Sequence, residues 1–293
     1  MINFLKYRFL CLAASVAIIS LLVGAYIYKN NSRGYAFTYS VEFTGGTQLL
    51  MKFADPVNTQ TLLSTIEKKW SGTMMRDFSD TEVLLRVKEY SNDTQGLADK
   101  VRELVQKSLP DNTVTIVKSE AVGPGVGADL RWKSMRAVFF ALLLMLFYIA
   151  WRFWSVSFAF GAVMALFHDA IIMLGVFLIF DREISINVIG AILAVLGYSI
   201  NDTIVIFSQI RDNAKKMSKA SFAEIINISL NQTLRRTLLT SVSTLLTVGS
   251  MFILGGEALR DFSLALLVGI FFGTYSSIYI ASPIMLLLQK KVK

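Results

Sequence analysis

Polar residues that interrupt apolar segments are the first candidates for chemistry in this sequence. The stretch 197-GYSINDTIVIF-207 places Asn201, Asp202 and Thr203 within an apolar run that ends at Arg211. A carboxylate in a membrane-spanning helix costs roughly 2.5–3.5 kcal/mol on insertion scales, so it usually faces protein or water. The position of Asp202 therefore indicates a task beyond packing.

A second polar pattern lies in 231-NQTLRRTLLTSVSTLLTV-248. Its members recur at intervals of four, four and three residues, and therefore share one face of a helix. They are Arg236, Thr240, Thr244 and Thr247, with Ser243 and Ser250 at the edges. Such a face is typical of a helix that lines a wet or hydrogen-bonded interior. It is equally typical of Ser/Thr helix–helix packing with Arg236 extended to the interface, and periodicity alone leaves both interpretations open.

The charged members of these two patterns are expected at comparable depths. Asp202 precedes Arg211 by nine residues, which is about 13 Å along a helix. Arg236 lies a similar number of residues beyond Ile228, near which the next helix is expected to begin. The carboxylate and the guanidinium are therefore predicted to share a level and to pair, which makes a buried charge tolerable.

The predicted pair would act as a titration switch. Loss of water favours the neutral acid, whereas a nearby arginine favours the ionised acid. An acid that takes up a proton when the arginine leaves, and releases it when the arginine returns, can pass protons across a membrane. Transported protons are then the only species required, with no cofactor and no metal.

Polar neighbours are expected to support this pair. Tyr198 and Ser199 precede Asp202 by four and three residues, so both are predicted to lean over the carboxylate. The full predicted supporting set is Tyr198, Ser199, Asn201, Thr203, Asn231, Gln232, Thr240 and Thr244.

A further acid, Asp169, follows the only histidine, His168, in 164-MALFHDAIIM-173. Both residues are candidates for the proton path, and a packing role is an equal alternative for the histidine. An intramembrane aspartyl protease would need two carboxylates that share one proton. Asp169 is expected near mid-membrane and Asp202 nearer the cytoplasmic face, and the Gly-x-Gly-Asp signature is missing from the sequence, so the chain is interpreted as a non-enzyme.

Composition predicts a polytopic α-helical membrane protein. Of 293 residues, 54% are hydrophobic and 17% charged, against about 25% charged in soluble domains. One histidine and the single Cys11 exclude a multi-histidine metal centre, a cysteine-based zinc site and an internal disulfide. Six segments are long enough to cross a lipid bilayer. They are 9–28, 134–152, 156–180, 184–209, 230–255 and 262–288.

Basic residues predict the orientation. With the N-terminus inside, the short outer loops hold only Arg182 and Arg260. The inner flanks hold Lys6, Arg8, Arg152, Arg211, Lys215, Lys216, Lys219, Lys290, Lys291 and Lys293. Both termini are therefore expected in the cytoplasm, and the net charge of +8 is interpreted as a topology signal rather than as nucleic-acid binding.

Three domains follow from this topology: a membrane anchor at 1–29, an extracytoplasmic domain at 30–133 and a five-helix bundle at 134–293. The middle domain is predicted to be a ferredoxin-like α+β unit in the order β-α-β-β-α-β. Its predicted elements are strand 47–53, helix 57–70, strands 73–78 and 82–88, helix 94–109 and strand 113–118. Alternation in 82-EVLLRVK-88 predicts one buried face and one wet face.

Small residues predict close helix packing in two spans. In the last span they recur every four residues, at Ala265, Gly269, Gly273, Ser277 and Ala281. In the fourth span Gly190, Ala194 and Gly197 lead toward Asn201, so that span is expected in the protein interior.

Several ordered motifs resemble the SecF family of bacterial protein-export membrane proteins, in the resistance-nodulation-division superfamily. The motifs are 42-EFTGGT-47, 122-VGPGVGADLR-131, 167-FHDAIIMLG-175, 197-GYSINDTIVIF-207, 210-IRDN-213, 231-NQTLRRTLLTSVSTLL-246 and 273-GTYSSIYIASP-283. Two positions depart from the usual pattern: Glu42 replaces an Asp, and Ser208 and Gln209 replace an Asp-Arg pair.

The resemblance implies more than composition can. It implies a pseudo-symmetric twelve-span assembly with SecD beside the SecY–SecE–SecG channel, in the cytoplasmic membrane, which uses the proton gradient to help preproteins leave the channel. It further implies that Asp202 is the proton-relay acid and Arg236 the essential arginine, with a second acid supplied by SecD. Two alternatives are another superfamily exporter of lipid or small molecules, and a structural translocon subunit without proton coupling.

Overall fold

The computed structural model describes residues 1–77, 79–90, 93–153 and 155–289. Phe78, predicted to end a strand, and Lys290, Lys291 and Lys293, predicted in an inner flank, lie outside these ranges. Along the chain the helices are α1 (Arg8–Arg33), α2 (Val41–Thr44), α3 (Thr59–Glu67), α4 (Thr94–Ser108), α5 (Pro124–Phe153), α6 (Val156–Ile179), α7 (Ile186–Lys216), α8 (Phe222–Leu254), α9 (Gly256–Ser276) and α10 (Ser282–Leu288). The strands are β1 (Thr38–Tyr39), β2 (Gly46–Phe53), β3 (Met74–Asp77), β4 (Glu82–Val87), β5 (Val114–Val122) and β6 (Glu183–Ile184).

The predicted count of six membrane helices is confirmed for the described residues. The candidate spans are Phe4–Arg33, Pro124–Phe153, Val156–Ile179, Ile186–Lys216, Phe222–Leu254 and Leu259–Leu288. Most helices continue beyond their apolar segment into polar sequence, because a helix ends at its caps and not at the limit of its hydrophobic run. The last span is not one regular helix: a π-helical turn at Ser277–Ala281 joins α9 to α10.

The chain forms two compact units, one of Met1–Thr38 with Arg136–Lys293, the other of Tyr39–Met135. In the first, α6, α7 and the α9–α10 span each bury about half of their apolar stretch, whereas α1, α5 and α8 expose most of theirs. The centre of this helical unit is α9, which packs against α6, α7 and α8.

The small-residue strip of α9 packs as predicted. A Cβ at Gly269 would lie 2.5 Å from Val195 Cγ1, and a Cβ at Gly273 would lie 2.9 Å from Ser199 Cβ, so neither position has room for a side chain. Ala265 and Ala281 are completely buried. The strip therefore lets α9 approach α7 closely.

The corresponding strip of α7 behaves differently from the prediction. Gly190, Ala194, Gly197 and Asn201 are all exposed, and a Cβ at either glycine would meet no atom within 4 Å. The helix buries another face, which includes Val195, against α9. Span four was expected in the protein interior, but it buries only about half of its apolar stretch, and its glycine strip packs on nothing within the described part of this chain.

The second unit contains a four-stranded antiparallel sheet in the order β3-β4-β2-β5. Its β-α-β-β-α-β element order is the one predicted, and α3 and α4 bury apolar side chains against the sheet. The expected wet face is wrong for β4, since Leu84 is 8% and Arg86 9% exposed. That strand lies between β2 and β3, and Gln48 and Met74 flank Arg86 on either side.

Glycines explain why two of the sequence motifs occur together. Gly45 has a φ of 73°, and its Cβ would lie 2.7 Å from Pro124 Cα. Gly46 has a φ of 110°, and its Cβ would lie 2.5 Å from the Val87 carbonyl oxygen. A Cβ at Gly127 would lie 2.9 Å from the Gly45 nitrogen. The motifs at 42–47 and 122–131 therefore form one close backbone contact that only glycine permits.

Candidate functional site

Asp202 lies on the buried face of α7. Its side chain is only 5% exposed, and its Oδ2 atom is buried without a hydrogen-bond partner. A buried polar atom of this kind is uncommon and calls for an explanation, such as a catalytic or transport role or a site for water. The predicted acid thus lies where a change of its ionisation state would have a large effect on the energy of the helical bundle.

Arg236 lies on the exposed face of α8. Its charge acts on the Asp202 carboxylate, but among the described residues no ion pair joins the two side chains. Both helices extend further toward the loop that connects them than predicted, α7 to Lys216 and α8 from Phe222. The two extensions are of similar length, so the common level of the two groups stays a prediction, while no ion pair joins them in the described part of the chain.

Helix α8 carries two polar stripes, and only one of them was predicted from the sequence. The stripe that begins at Arg236 is mostly exposed, and its threonine hydroxyls bond to the preceding turn of their own helix, as Thr240 does to the Arg236 carbonyl at 3.1 Å. Only the half-buried Thr244 also reaches α7 among the described residues. Most of this stripe therefore does not line an interior formed by the described part of this chain. The residues that do face the interior are Ser229, Thr233, Thr237 and Ser241. Their strict spacing of four residues was the signal that could have revealed this second stripe.

The predicted neighbours of Asp202 divide into different contacts. Tyr198 accepts a hydrogen bond from Thr244 at 3.3 Å and so links α7 to α8. The Thr203 hydroxyl hydrogen-bonds to the Ser277 hydroxyl at 2.8 Å. Ser199, expected to lean over Asp202, instead donates to Asp169 at 2.7 Å, because it points toward α9 and α6. Asn201 is exposed.

Asn231 and Gln232 do not contact Asp202, which corrects the prediction for both. Asn231 holds the N-terminal segment, donating to the Ile2 carbonyl at 2.7 Å and accepting from the Ile2 nitrogen at 2.8 Å. The Gln232 carbonyl oxygen accepts from Gln209 at 2.8 Å and from Asn213 at 2.7 Å. The physical reason is that both residues precede Arg236 on α8 by at least one helical turn.

Asp169 has a hydrogen-bonding neighbour at each of its carboxylate oxygens. It is completely buried, and its Oδ2 atom accepts hydrogen bonds from Ser199 at 2.7 Å and Ser276 at 2.8 Å. The His168 Nδ1 atom lies 3.1 Å from Oδ1. No hydrogen bond joins Asp169 to Asp202 among the described residues, so the two acids do not form a carboxylate dyad here.

Together these features define a class: a multi-pass membrane protein whose helical bundle buries ionisable groups and whose chain also forms a small α/β unit. The profile of the family described as "Protein export membrane protein SecD/SecF, C-terminal" matches residues 100–291. The chain belongs to this family, which confirms the resemblance found in its motifs.

Named relatives agree with this assignment. The chain is 37% identical over 291 residues to the "Protein translocase subunit SecF" of Pseudomonas aeruginosa, covering 98% of this chain and 92% of that protein. It is 32% identical over 283 residues to the SecF subunit of Endomicrobium trichonymphae, covering 97% and 90%. The crystal structure of SecDF from Thermus thermophilus matches with a TM-score of 0.86 and 35% identity, over 98% of this chain but only 38% of that longer chain.

Proposed function

We propose that this chain uses the proton motive force, together with a SecD partner, to promote preprotein export across the cytoplasmic membrane, and that Asp202 and Arg236 form its proton relay. The observation that carries the proposal is the buried Asp202 oxygen without a hydrogen-bond partner. An intramembrane acid in this state can exist neutral, by binding a proton, or ionised, by gaining an arginine. Protons are the only transported small species in this proposal, and no catalytic step is assigned.

The relay follows from the positions of the two groups. With Arg236 on the exposed face of α8 and outside ion-pair distance, Asp202 binds a proton that arrives from the outer side. A rotation or shift of α8 that brings the guanidinium to the carboxylate favours the anion, and the proton leaves toward the cytoplasm. Each charge that crosses the membrane contributes about 2.3 kcal/mol per 100 mV, which is available to drive the helix movement.

A partner is supported by the exposed polar stripe of α8. A lipid-facing arginine with a row of hydroxyls would be costly, and the exposed glycine strip of α7 offers a surface for close helix packing. The Thermus thermophilus relative named SecDF is a longer chain in which this chain corresponds to 38%. We therefore infer that SecD covers these exposed faces of α7 and α8, and that the SecY–SecE–SecG channel and preproteins are further partners.

The basic residues support the proposed orientation. Both termini lie in the cytoplasm, residues 1–29 form the first anchor, residues 30–133 form the extracytoplasmic domain and residues 134–293 form the remaining bundle. The excess of Lys and Arg at the ends that would then face inward is the physical basis.

The relay is tested with substitutions that remove the charge of a side chain and keep its shape. Asp202→Asn and Arg236→Met should each abolish the dependence of export on the proton gradient, measured with inverted membrane vesicles with and without an uncoupler. Arg235→Met and Asp212→Asn are matched controls, since both residues are exposed on the same two helices, and they should keep that dependence.

Near-normal, uncoupler-sensitive export with Asp202→Asn would contradict the relay. If export is near normal in the variant and the unmodified chain also shows no dependence on the proton gradient, the structural-subunit alternative is favoured. Loss of lipid or small-molecule efflux, with export intact, would favour the exporter alternative.

A further inference from the structure

Asp169 joins three helices at one point in the core. Its Oδ2 atom accepts from Ser199 of α7 and from Ser276 of α9, while Asp169 itself belongs to α6. All three side chains are at most 1% exposed. The position of a single carboxylate oxygen therefore constrains the rotation of α7 and α9 about their axes.

The space for this junction is built into α9. A Cβ at Gly273 would lie 2.9 Å from Ser199 Cβ and 3.6 Å from Asp169 Oδ2. Any larger residue at Gly273 would separate Ser199 from the acid. Two helix–helix hydroxyl contacts then follow one another along α7: Ser199 to Asp169, and one turn later Thr203 to Ser277 at 2.8 Å.

The second of these contacts directly adjoins the proposed relay. Thr203 follows Asp202 in the sequence, and Ser199 precedes it by three residues. Ser199 and Thr203 are therefore the α7 side chains that flank Asp202 on the side facing α9.

We propose that Asp169 is a positioning residue for Asp202: by accepting the Ser199 and Ser276 hydroxyls it fixes α7 against α9, and so sets the direction of the relay acid. The proposal rests on the proposed function of Asp202. The groups that face Asp169 are His168 from α6, Ser199 from α7 and Ser276 from α9, with the Tyr275 ring 6.0 Å from the histidine ring.

A positioning role and a proton-carrying role make different demands on the side chain. Positioning needs an oxygen that accepts two hydroxyl hydrogens, which an asparagine carbonyl also supplies. Proton carrying needs an acid. Asp169→Asn should therefore restore what Asp169→Ala destroys.

The geometric readout is a disulfide between α7 and α9. Thr203 and Ser277 hydroxyl oxygens lie 2.8 Å apart, close enough for paired cysteines to form a disulfide. In a Cys11→Ala background, which removes the only native cysteine, Thr203→Cys with Ser277→Cys should oxidise readily in membranes. Free thiols are counted by the mass shift after labelling with a maleimide–polyethylene glycol.

Asp169→Ala removes the acceptor of two hydroxyl hydrogen bonds. We expect it to slow this disulfide by at least about tenfold, the factor for losing one buried hydrogen bond, while Asp169→Asn keeps the rate. In chains with Thr203 and Ser277 intact, Asp169→Ala should lose gradient-dependent export and Asp169→Asn should retain it. Ser276→Ala, which keeps the acid and removes one donor, should show the same slowing if Asp169→Ala does not fold. Ser263→Ala is the matched control, because the hydroxyl of this fully buried α9 serine bonds to its own helix within the described part of the chain.

Unchanged disulfide rates in both Asp169→Ala and Ser276→Ala would overturn the proposal. So would an Asp169→Asn variant as defective in export as Asp169→Ala, since the acid itself would then be needed. The disulfide rate does not depend on proton transport, so failure of the relay with Asp202→Asn would leave this geometric result standing.

Discussion

At the scale of single residues, two acids of one bundle have opposite surroundings. Asp169 has three hydrogen-bonding neighbours, whereas Asp202 has a buried oxygen with no partner. A satisfied buried carboxylate resists change, while an unsatisfied one gains from any donor or proton that approaches. This difference is why Asp202 is assigned the relay and Asp169 the positioning role.

A third acid, outside the spans, provides a pH test. Asp181 precedes β6 and lies 2.9 Å from Lys29 Nζ and 2.5 Å from Arg33. Burial alone would raise the pKa of Asp181, but hydrogen bonds and charge from Arg33 and Lys29 outweigh it and lower the pKa below 3.8. The stability from this cluster is therefore present above pH 3.8 and is lost as the pH falls below it.

We expect Asp181→Asn to lower the free energy of unfolding by about 0–1 kcal/mol at pH 7, since the acid is half-exposed. The difference from the unmodified chain should shrink as the pH falls below 3.8 and in about 1 M salt. Thermal unfolding in detergent at pH 7 and at a pH below 3.8 measures it. A difference of equal size at the two pH values would show that the charge is not responsible.

At the scale of helices, α7 and α8 are joined by hydrogen-bonded amide side chains near the loop that connects the two helices. The Gln232 oxygen accepts from Gln209 and Asn213, and Asn213 also donates to the buried Ser229 at 2.8 Å. Gln232 precedes Arg236 by one helical turn, and Gln209 follows Asp202 by two turns. This amide bracket therefore sets the axial register of the two helices that carry the relay, and it occupies the position where the family motif departs from the usual Asp-Arg pair.

Gln232→Leu should remove the hydrogen bonds that Gln209 and Asn213 donate to this residue and destabilise the helical unit by about 1–2 kcal/mol. Gradient-dependent export should fall with it, because the register between Asp202 and Arg236 is no longer held. Gln232→Glu keeps both acceptor positions and is the matched control. Equal stability and export for the leucine and glutamate variants would show that these amide hydrogen bonds do not set the register of α7 and α8.

At the scale of the whole molecule, the helical unit is incomplete by itself. The Arg236 stripe of α8 and the glycine strip of α7 are both exposed, and the two helices are packed neighbours. Polar residues and small residues on adjoining helices form a surface suited to another helix rather than to lipid. The proposed SecD partner would cover it.

Cysteine labelling tests this surface. Ser243→Cys on α8, in a Cys11→Ala background, should react with a maleimide when the chain is purified alone in detergent, and should become protected when it is purified together with a SecD subunit. Val16→Cys on α1, 64% exposed in this chain, is the control and should stay reactive. Equal reactivity of Ser243→Cys in both preparations would place the partner elsewhere.

The sequence by itself determined the six spans and the β-α-β-β-α-β order of the smaller unit, because hydropathy and alternation are properties of neighbouring residues. It also predicted the close-packed strip of α9 and made Asp202 and Arg236 candidates, because charge and small size in an apolar run are visible without a fold. The tertiary structure alone decided which way each helix is turned. Two polar stripes on α8 have almost the same spacing, and only contacts with α7 and α9 bury the one through Thr237 and leave Arg236 exposed. For the same reason Ser199 meets Asp169 instead of Asp202: helix rotation is set by long-range packing, which local spacing does not encode.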